Sequence, residues 1–149
     1  MRTLNSDAYL STLRDLVNEG KDVRLLISGS SMSPFLVHKR DSIIFSKPNR
    51  ELKRGDMVFY QRENGQFVMH RILWTKPEGL YLIGDAQKEI EGPINPSQVF
   101  GLIKKVCRKG KWIEPGNFWW WFFENIWLKI IPFRKIIMKI FNLFNNFGK

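Results

Sequence analysis

Cysteine is almost missing from this chain. Cys107 stands alone among 149 residues, so no intramolecular disulfide can form and nothing points to an oxidising compartment. Set in an apolar and basic strand-like stretch, it reads as a buried structural thiol. Histidine is nearly as scarce. Only His38 and His70 occur, neither at ligand spacing from Cys107, so neither a zinc site nor a cofactor is expected. Negative charge is also short: 14 acidic residues face 24 Lys and Arg, for a formal net charge of +10. That excess implies attraction to nucleic acid, an anionic lipid surface or an acidic peptide, and by itself does not choose among them. Finally, residues 1–28 contain no long apolar run. Arg2, Asp7, Arg14, Asp15, Glu19, Lys21, Asp22 and Arg24 interrupt it, so this segment reads neither as an export signal nor as a spanning helix.

What is present suffices for one domain with appendages. The apolar content of 44% supports one core, and the chain is too short for two ordinary domains. Ser6 can cap a short amphipathic helix in which Leu10, Leu13, Leu16 and Val17 recur at helical steps, with Gly20 as its stop. From Val23 the period changes to two, and strands are predicted over 23–28, 42–45, 56–61, 66–74, 80–83 and 99–106. Glu63-Asn64-Gly65 and Lys76-Pro77-Glu78-Gly79 read as hairpin loops, and Arg108-Lys109-Gly110-Lys111 leads to a last short strand ending near Ile113. The expected fold is mainly β, with an N-terminal helix over 1–21, a β domain over 22–114 and a helical tail over 115–149.

The tail begins with Phe118, Trp119, Trp120, Trp121, Phe122 and Phe123 and continues rich in aliphatic and basic residues. Ile126, Trp127, Ile130, Phe133, Ile137, Ile140, Phe141 and Phe144 share one helical face, and Asn125, Lys129, Lys135, Lys139, Asn142 and Asn146 lie opposite. Pro132 is expected to kink or split the helix, which would also reset the phase of Arg134. An amphipathic stripe of this kind can pack on the β domain or lie in a membrane surface. The tryptophans, which settle at lipid headgroups, and the cations Lys129, Arg134, Lys135 and Lys139 favour the surface of an anionic membrane, with Trp119, Trp120, Trp121 and Trp127 as anchors.

Chemistry is expected from a different place. Gly29-Ser30-Ser31-Met32-Ser33-Pro34 follows a predicted strand, where small residues permit a tight turn that can lift a serine hydroxyl into a cleft. A Ser-rich turn is common as an ordinary turn. A serine nucleophile needs a base, and His70, in the run Phe67-Val68-Met69-His70-Arg71-Ile72-Leu73, is the better candidate, although a strand histidine is often only structural. His38 lies in the polar loop His38-Lys39-Arg40-Asp41 and reads as solvated.

Taken in order, these fragments resemble the superfamily of signal peptidases and the self-cleaving domains of LexA-type repressors. Its Ser-Met-x-Pro turn matches Ser31, Met32 and Pro34, and its Gly-Asp-x-Val strand matches Gly55, Asp56, Met57 and Val58. The usual Lys-Arg pair is replaced by His70-Arg71, similar to the endoplasmic reticulum and archaeal signal peptidases, and a downstream Gly-Asp box matches Gly84-Asp85. The resemblance covers about residues 23–106. It implies a signal-peptidase/LexA-like β domain in which Ser31 attacks a peptide carbonyl, His70 takes the proton and Asp85 orients His70. Where many members carry an oxyanion-binding Ser, this chain has Gly29, so the resemblance implies backbone N–H donors in the turn formed by Gly29, Ser30, Ser31 and Met32.

The function so implied is a serine endopeptidase that cleaves a leader or precursor peptide; the basic tail suggests work at a membrane surface, and the excess of Lys and Arg with no export signal favours its cytoplasmic face. The substrate would add as a β-strand with small side chains near the cut. Two other readings remain beside it. A LexA-like self-cleaving regulator would use the positive charge on DNA, but the segment before Val23 is too short for a helix-turn-helix and no Ala-Gly bond lies upstream of Ser31. Nucleic acid is therefore not the expected partner. A non-catalytic membrane-binding module would keep the fold without the activity.

Overall fold

A computed structural model describes the backbone of residues 2–147 and the side chains of residues 8–144. Helix α1 (Arg2–Asn18) starts earlier than the sequence pattern suggests, so Ser6 lies inside it and does not cap it. Its end follows the glycine rule. Gly20 takes φ +91°, its N–H bonds to Val17 O at 2.9 Å, and Lys21 N–H reaches Leu16 O at 3.2 Å. This is the paired closure that a left-handed glycine allows at a helix terminus.

The middle of the chain forms eight strands in one antiparallel sheet: β1 (Val23–Leu26), β2 (Ser42–Ser46), β3 (Met57–Gln61), β4 (Phe67–Lys76), β5 (Gly79–Ile83), β6 (Glu91–Ile94), β7 (Val99–Arg108) and β8 (Lys111–Ile113). Their order is β1-β2-β7-β3-β4-β5-β6, with β8 attached to β7. The turns obey their residues. Arg62 and Gln66 close the β3–β4 hairpin around Gly65 at φ +91°, and the β7–β8 turn places Lys109 and Gly110 both at positive φ, the geometry that matches the twist of paired strands. Strand β6 was not expected, because Gly92 and Pro93 argue against a strand interior. It is tolerated since β6 lies at the sheet edge and pairs only with β5.

Alternation along the strands buries both faces. Met57 and Phe59 enter a large core with Phe45, Ile103 and Val106 of the sheet and Leu13 and Val17 of α1. Val58 and Tyr60 enter a second core with Ile72, Leu82 and Leu102, drawn from β3 to β7. Strand pairing slips at Ile44/Phe45, Phe59/Tyr60 and Ile72/Trp74, and such bulges bend a sheet so that one face can close over its own side chains.

After β8 come α2 (Phe118–Trp121), a π-helical turn over Phe122–Ile126, α3 (Trp127–Lys129), a 3-10 turn over Ile131–Phe133 and α4 (Arg134–Phe147). The break at Ile130 to Pro132 is the one expected from the proline. The first half of this segment is not a separate unit, however. Trp120, Phe123 and Trp127 lie in the large core beside Phe35, and Leu128 packs with Leu73 and Ile83. Three expected membrane residues therefore face inward: Trp120, Trp127 and Arg134 are 5%, 1% and 1% exposed. Trp119, Trp121, Lys129, Lys135 and Lys139 are exposed. Cys107 is half-buried.

Candidate functional site

The Ser31 turn is held from below. Met32, Phe35 and Leu36 are buried in the large core, and the turn closes on itself through Ser33 N–H to Ser30 O at 3.1 Å and Leu36 N–H to Met32 O at 2.9 Å. These bonds leave the N–H of Ser31 out of the internal ladder. Gly29 sits at φ +95°, and its N–H donates to His38 Nδ1 at 2.7 Å. The Gly29 N–H is therefore committed and is no oxyanion donor in this arrangement, and His38, although exposed as expected, braces the turn.

From the other side the Gly-Asp box presses on the same turn. Ala86 N–H donates to Ser31 O at 2.9 Å, and a Cβ placed on Gly84 would lie 2.6 Å from Ser31 O. Only glycine permits that approach. This loop is in turn gripped by the C-terminal helices. Trp127 Nε1–H donates to Asp85 O at 2.7 Å, and the Arg134 guanidinium donates to Gly84 O and Gln87 O, both at 3.0 Å. Burial lowers the Arg134 pKa to about 10.

Ser31 and His70 line one cavity of about 540 Å³, together with Leu25, Ile27, Met32, Phe59, Phe67, Val68 and Gln87. Its wall is mostly apolar, and Tyr9 and Leu10 of α1 complete it. Strand β1 is an edge strand, so its outer backbone groups are unpaired within the sheet. No hydrogen bond joins Ser31 to His70 among the described residues, which is common before a substrate tightens such a pair.

Asp85 is in a different place from the one the resemblance implies. Its carboxylate accepts two hydrogen bonds from Arg71, 2.9 Å from Nε and 2.8 Å from Nη2, and both side chains are essentially fully buried. Arg71 also donates to Gly55 O at 3.0 Å. Asp85 is thus the counter-ion of Arg71, not the hydrogen-bond partner of His70.

The group beside the imidazole is one the sequence did not suggest. His70 Nδ1 lies 3.3 Å from the Tyr60 hydroxyl, which donates to Glu91 Oε1 at 2.8 Å. Arg62 clamps the same carboxylate from Nε at 2.8 Å and Nη2 at 2.6 Å. Burial works against the Glu91 charge, but the bonds from Arg62 and Tyr60 hold its pKa below the ordinary carboxylate range. Burial, then the bond to Glu91, pushes the Tyr60 hydroxyl pKa upward.

His70 itself is 5% exposed. Burial pushes its pKa down to about 4, with Glu91 and Asp85 opposing the shift and Arg62 reinforcing it. The imidazole is therefore neutral throughout the physiological range. A stability consequence follows. Unfolding restores a value near 6.5, so the unfolded chain binds the extra proton between pH 6.5 and 4. The contribution is fully present above 6.5 and is lost as pH falls through 4, by on the order of 3 kcal/mol. Urea titrations from pH 7 to 4 should show a steeper loss for wild type than for His70→Gln, and parallel curves would contradict the buried, neutral imidazole.

Among the described residues no group of three or more His, Cys, Asp or Glu is placed to hold a metal ion. No family model, no curated protein and no solved structure matches the chain.

Proposed function

We propose that this chain is a serine endopeptidase of the signal-peptidase/LexA-like kind, with Ser31 as nucleophile and His70 as general base. The observation that carries the reading is the largely apolar cavity that Ser31 and His70 share, between an edge strand and the β3–β4 hairpin. A peptide can add to β1 through main-chain hydrogen bonds while its side chains enter the cavity. Ser31 attacks the carbonyl, and the neutral His70 takes its proton. The imidazolium then gives that proton to the leaving amine, and water releases the acyl-enzyme through the same base.

The reading includes a membrane surface as the place of work. Phe133, at the end of the 3-10 turn, and Ile136, Ile140, Leu143 and Phe144 of α4 are 50–69% exposed on one side, beside the exposed Lys135 and Lys139. Phe118, Trp119 and Trp121 are exposed as well. Among the described residues no helix is long and apolar enough to cross a membrane. An apolar face edged with lysine fits an interfacial helix on anionic lipid, the composition of a cytoplasmic leaflet. Lateral confinement there would concentrate the enzyme with a membrane-bound leader or precursor peptide.

The test is mass spectrometry of a diverse peptide library incubated with the full chain, with and without phosphatidylserine-containing vesicles, beside Ser31→Ala and His70→Ala. New termini made by wild type alone, and co-sedimentation of all three proteins with the vesicles, are the expected result. Folded, vesicle-bound protein that cuts nothing would sink the peptidase reading and leave a membrane-binding module.

A further inference from the structure

We propose that Tyr60 is the positioning residue of the site: its hydroxyl accepts a hydrogen bond from Nδ1–H of His70 and donates its own to Glu91, so that Nε2 is left bare to act as the base. The proposal takes the Ser31–His70 reading as its base and names a group that reading lacks. With Asp85 spent on Arg71, no carboxylate among the described residues hydrogen-bonds the imidazole, and the phenol stands between His70 and Glu91.

The direction of the hydrogen bonds is decided by Glu91. Its carboxylate is clamped twice by Arg62, so it stays ionised and can only accept. The Tyr60 proton must therefore point to Glu91, at 2.8 Å. A hydroxyl whose one hydrogen is engaged with Glu91 offers only lone pairs to its other neighbour, and so the nitrogen 3.3 Å away must carry the hydrogen. Neutral histidine in water prefers the opposite form, with hydrogen on Nε2. The chain thus holds His70 in its minor tautomer, and it is this tautomer that a base facing Ser31 requires.

The phenol also explains why an orienting chain need not charge the imidazole. A carboxylate bonded directly to Nδ1 would favour imidazolium in the resting state. Interposing a neutral hydroxyl, and balancing Glu91 with Arg62, keeps the orientation while leaving the resting base uncharged. Tyr60 is fully buried on β3 beside β4, and Glu91 lies on the edge strand β6, two strands beyond β4, so residues from either side of His70's strand meet over the histidine.

The tautomer can be read without any substrate. The chain has two histidines, so a long-range 15N–1H spectrum of histidine-labelled protein at pH 7, with His38 assigned by His38→Gln, reports each ring nitrogen of His70. Wild type should show hydrogen on Nδ1. Tyr60→Phe removes the acceptor and should release His70 to the Nε2–H form. Glu91→Ala should do the same for a different reason, because the phenol, deprived of its acceptor, turns its proton onto Nδ1. In the cleavage assay both variants should lose between about 10- and 100-fold in kcat with KM nearly unchanged. Hydrogen on Nε2 in wild type, or a wild-type tautomer that survives both substitutions, would overturn the proposal. The expected tautomer pattern in a protein that cuts no peptide would uphold the Tyr60 arrangement and discard the peptidase reading.

Discussion

Asp85→Ala is expected to destabilise the chain by about 3–5 kcal/mol, the loss seen when one partner of a buried ion pair is removed. The reason lies in what is left behind. Arg71 is 0% exposed and always charged, and among the described residues its guanidinium without Asp85 keeps one hydrogen bond, to Gly55 O, with the ring of Phe35 5.5 Å from the guanidinium carbon. Urea unfolding should show a lower midpoint with an unchanged slope. The double variant Arg71→Met with Asp85→Leu should recover much of the loss, since an apolar pair avoids burying charge at all. A change below about 1 kcal/mol in Asp85→Ala would mean that the pair is not buried as described. The result also bears on mechanism. Loss of cleavage in Asp85→Ala would not by itself make Asp85 an orienter of His70, because the substitution also loosens the loop on which Ser31 rests.

The proposed mechanism makes a second large prediction. Ser31→Ala and His70→Ala should each lower kcat/KM by at least about 10³-fold, and the double variant should be no worse than either single one. Proton transfer from hydroxyl to imidazole is one event, and removing either participant removes all of it. The vesicle affinity and the unfolding midpoint of Ser31→Ala should stay near wild type, since the side chain is half-exposed at a turn whose anchors are Met32, Phe35 and Leu36. Losses that multiply in the double variant would show that the two residues act independently and would remove His70 as the base for Ser31.

Pairs distant in sequence separate what was legible from what was not. The strands around His70 were readable because alternation of apolar and polar residues sets which face is buried, and the loop at Gly65 and the turn at Lys109-Gly110 were readable because left-handed backbone demands those residues. Strand β6 was not. Its Gly92 and Pro93 carry no strand signal, and only pairing to β5 makes the segment extended. Missing β6 meant missing Glu91, and with it the chain of hydrogen bonds to His70. The aromatic tail misled in the opposite sense. A tryptophan looks the same in sequence whether it anchors to lipid or fills a core, and it is the packing of Trp120 and Phe123 against Phe35, and of Trp127 on Phe123, that turns one side of the segment inward.

The sequence by itself determined the β character of the central domain, the helix before it, the break at Pro132, and the ordered fragments that hold Ser31 and His70, because these depend on local backbone preference and on short-range periodicity. The tertiary structure alone decided that Asp85 answers Arg71, that Tyr60 and Glu91 stand beside His70, and that Trp127 and Arg134 grip the loop behind Ser31. A charged or polar side chain takes whichever partner burial brings within hydrogen-bond reach, and that choice is made by the packing of the whole chain.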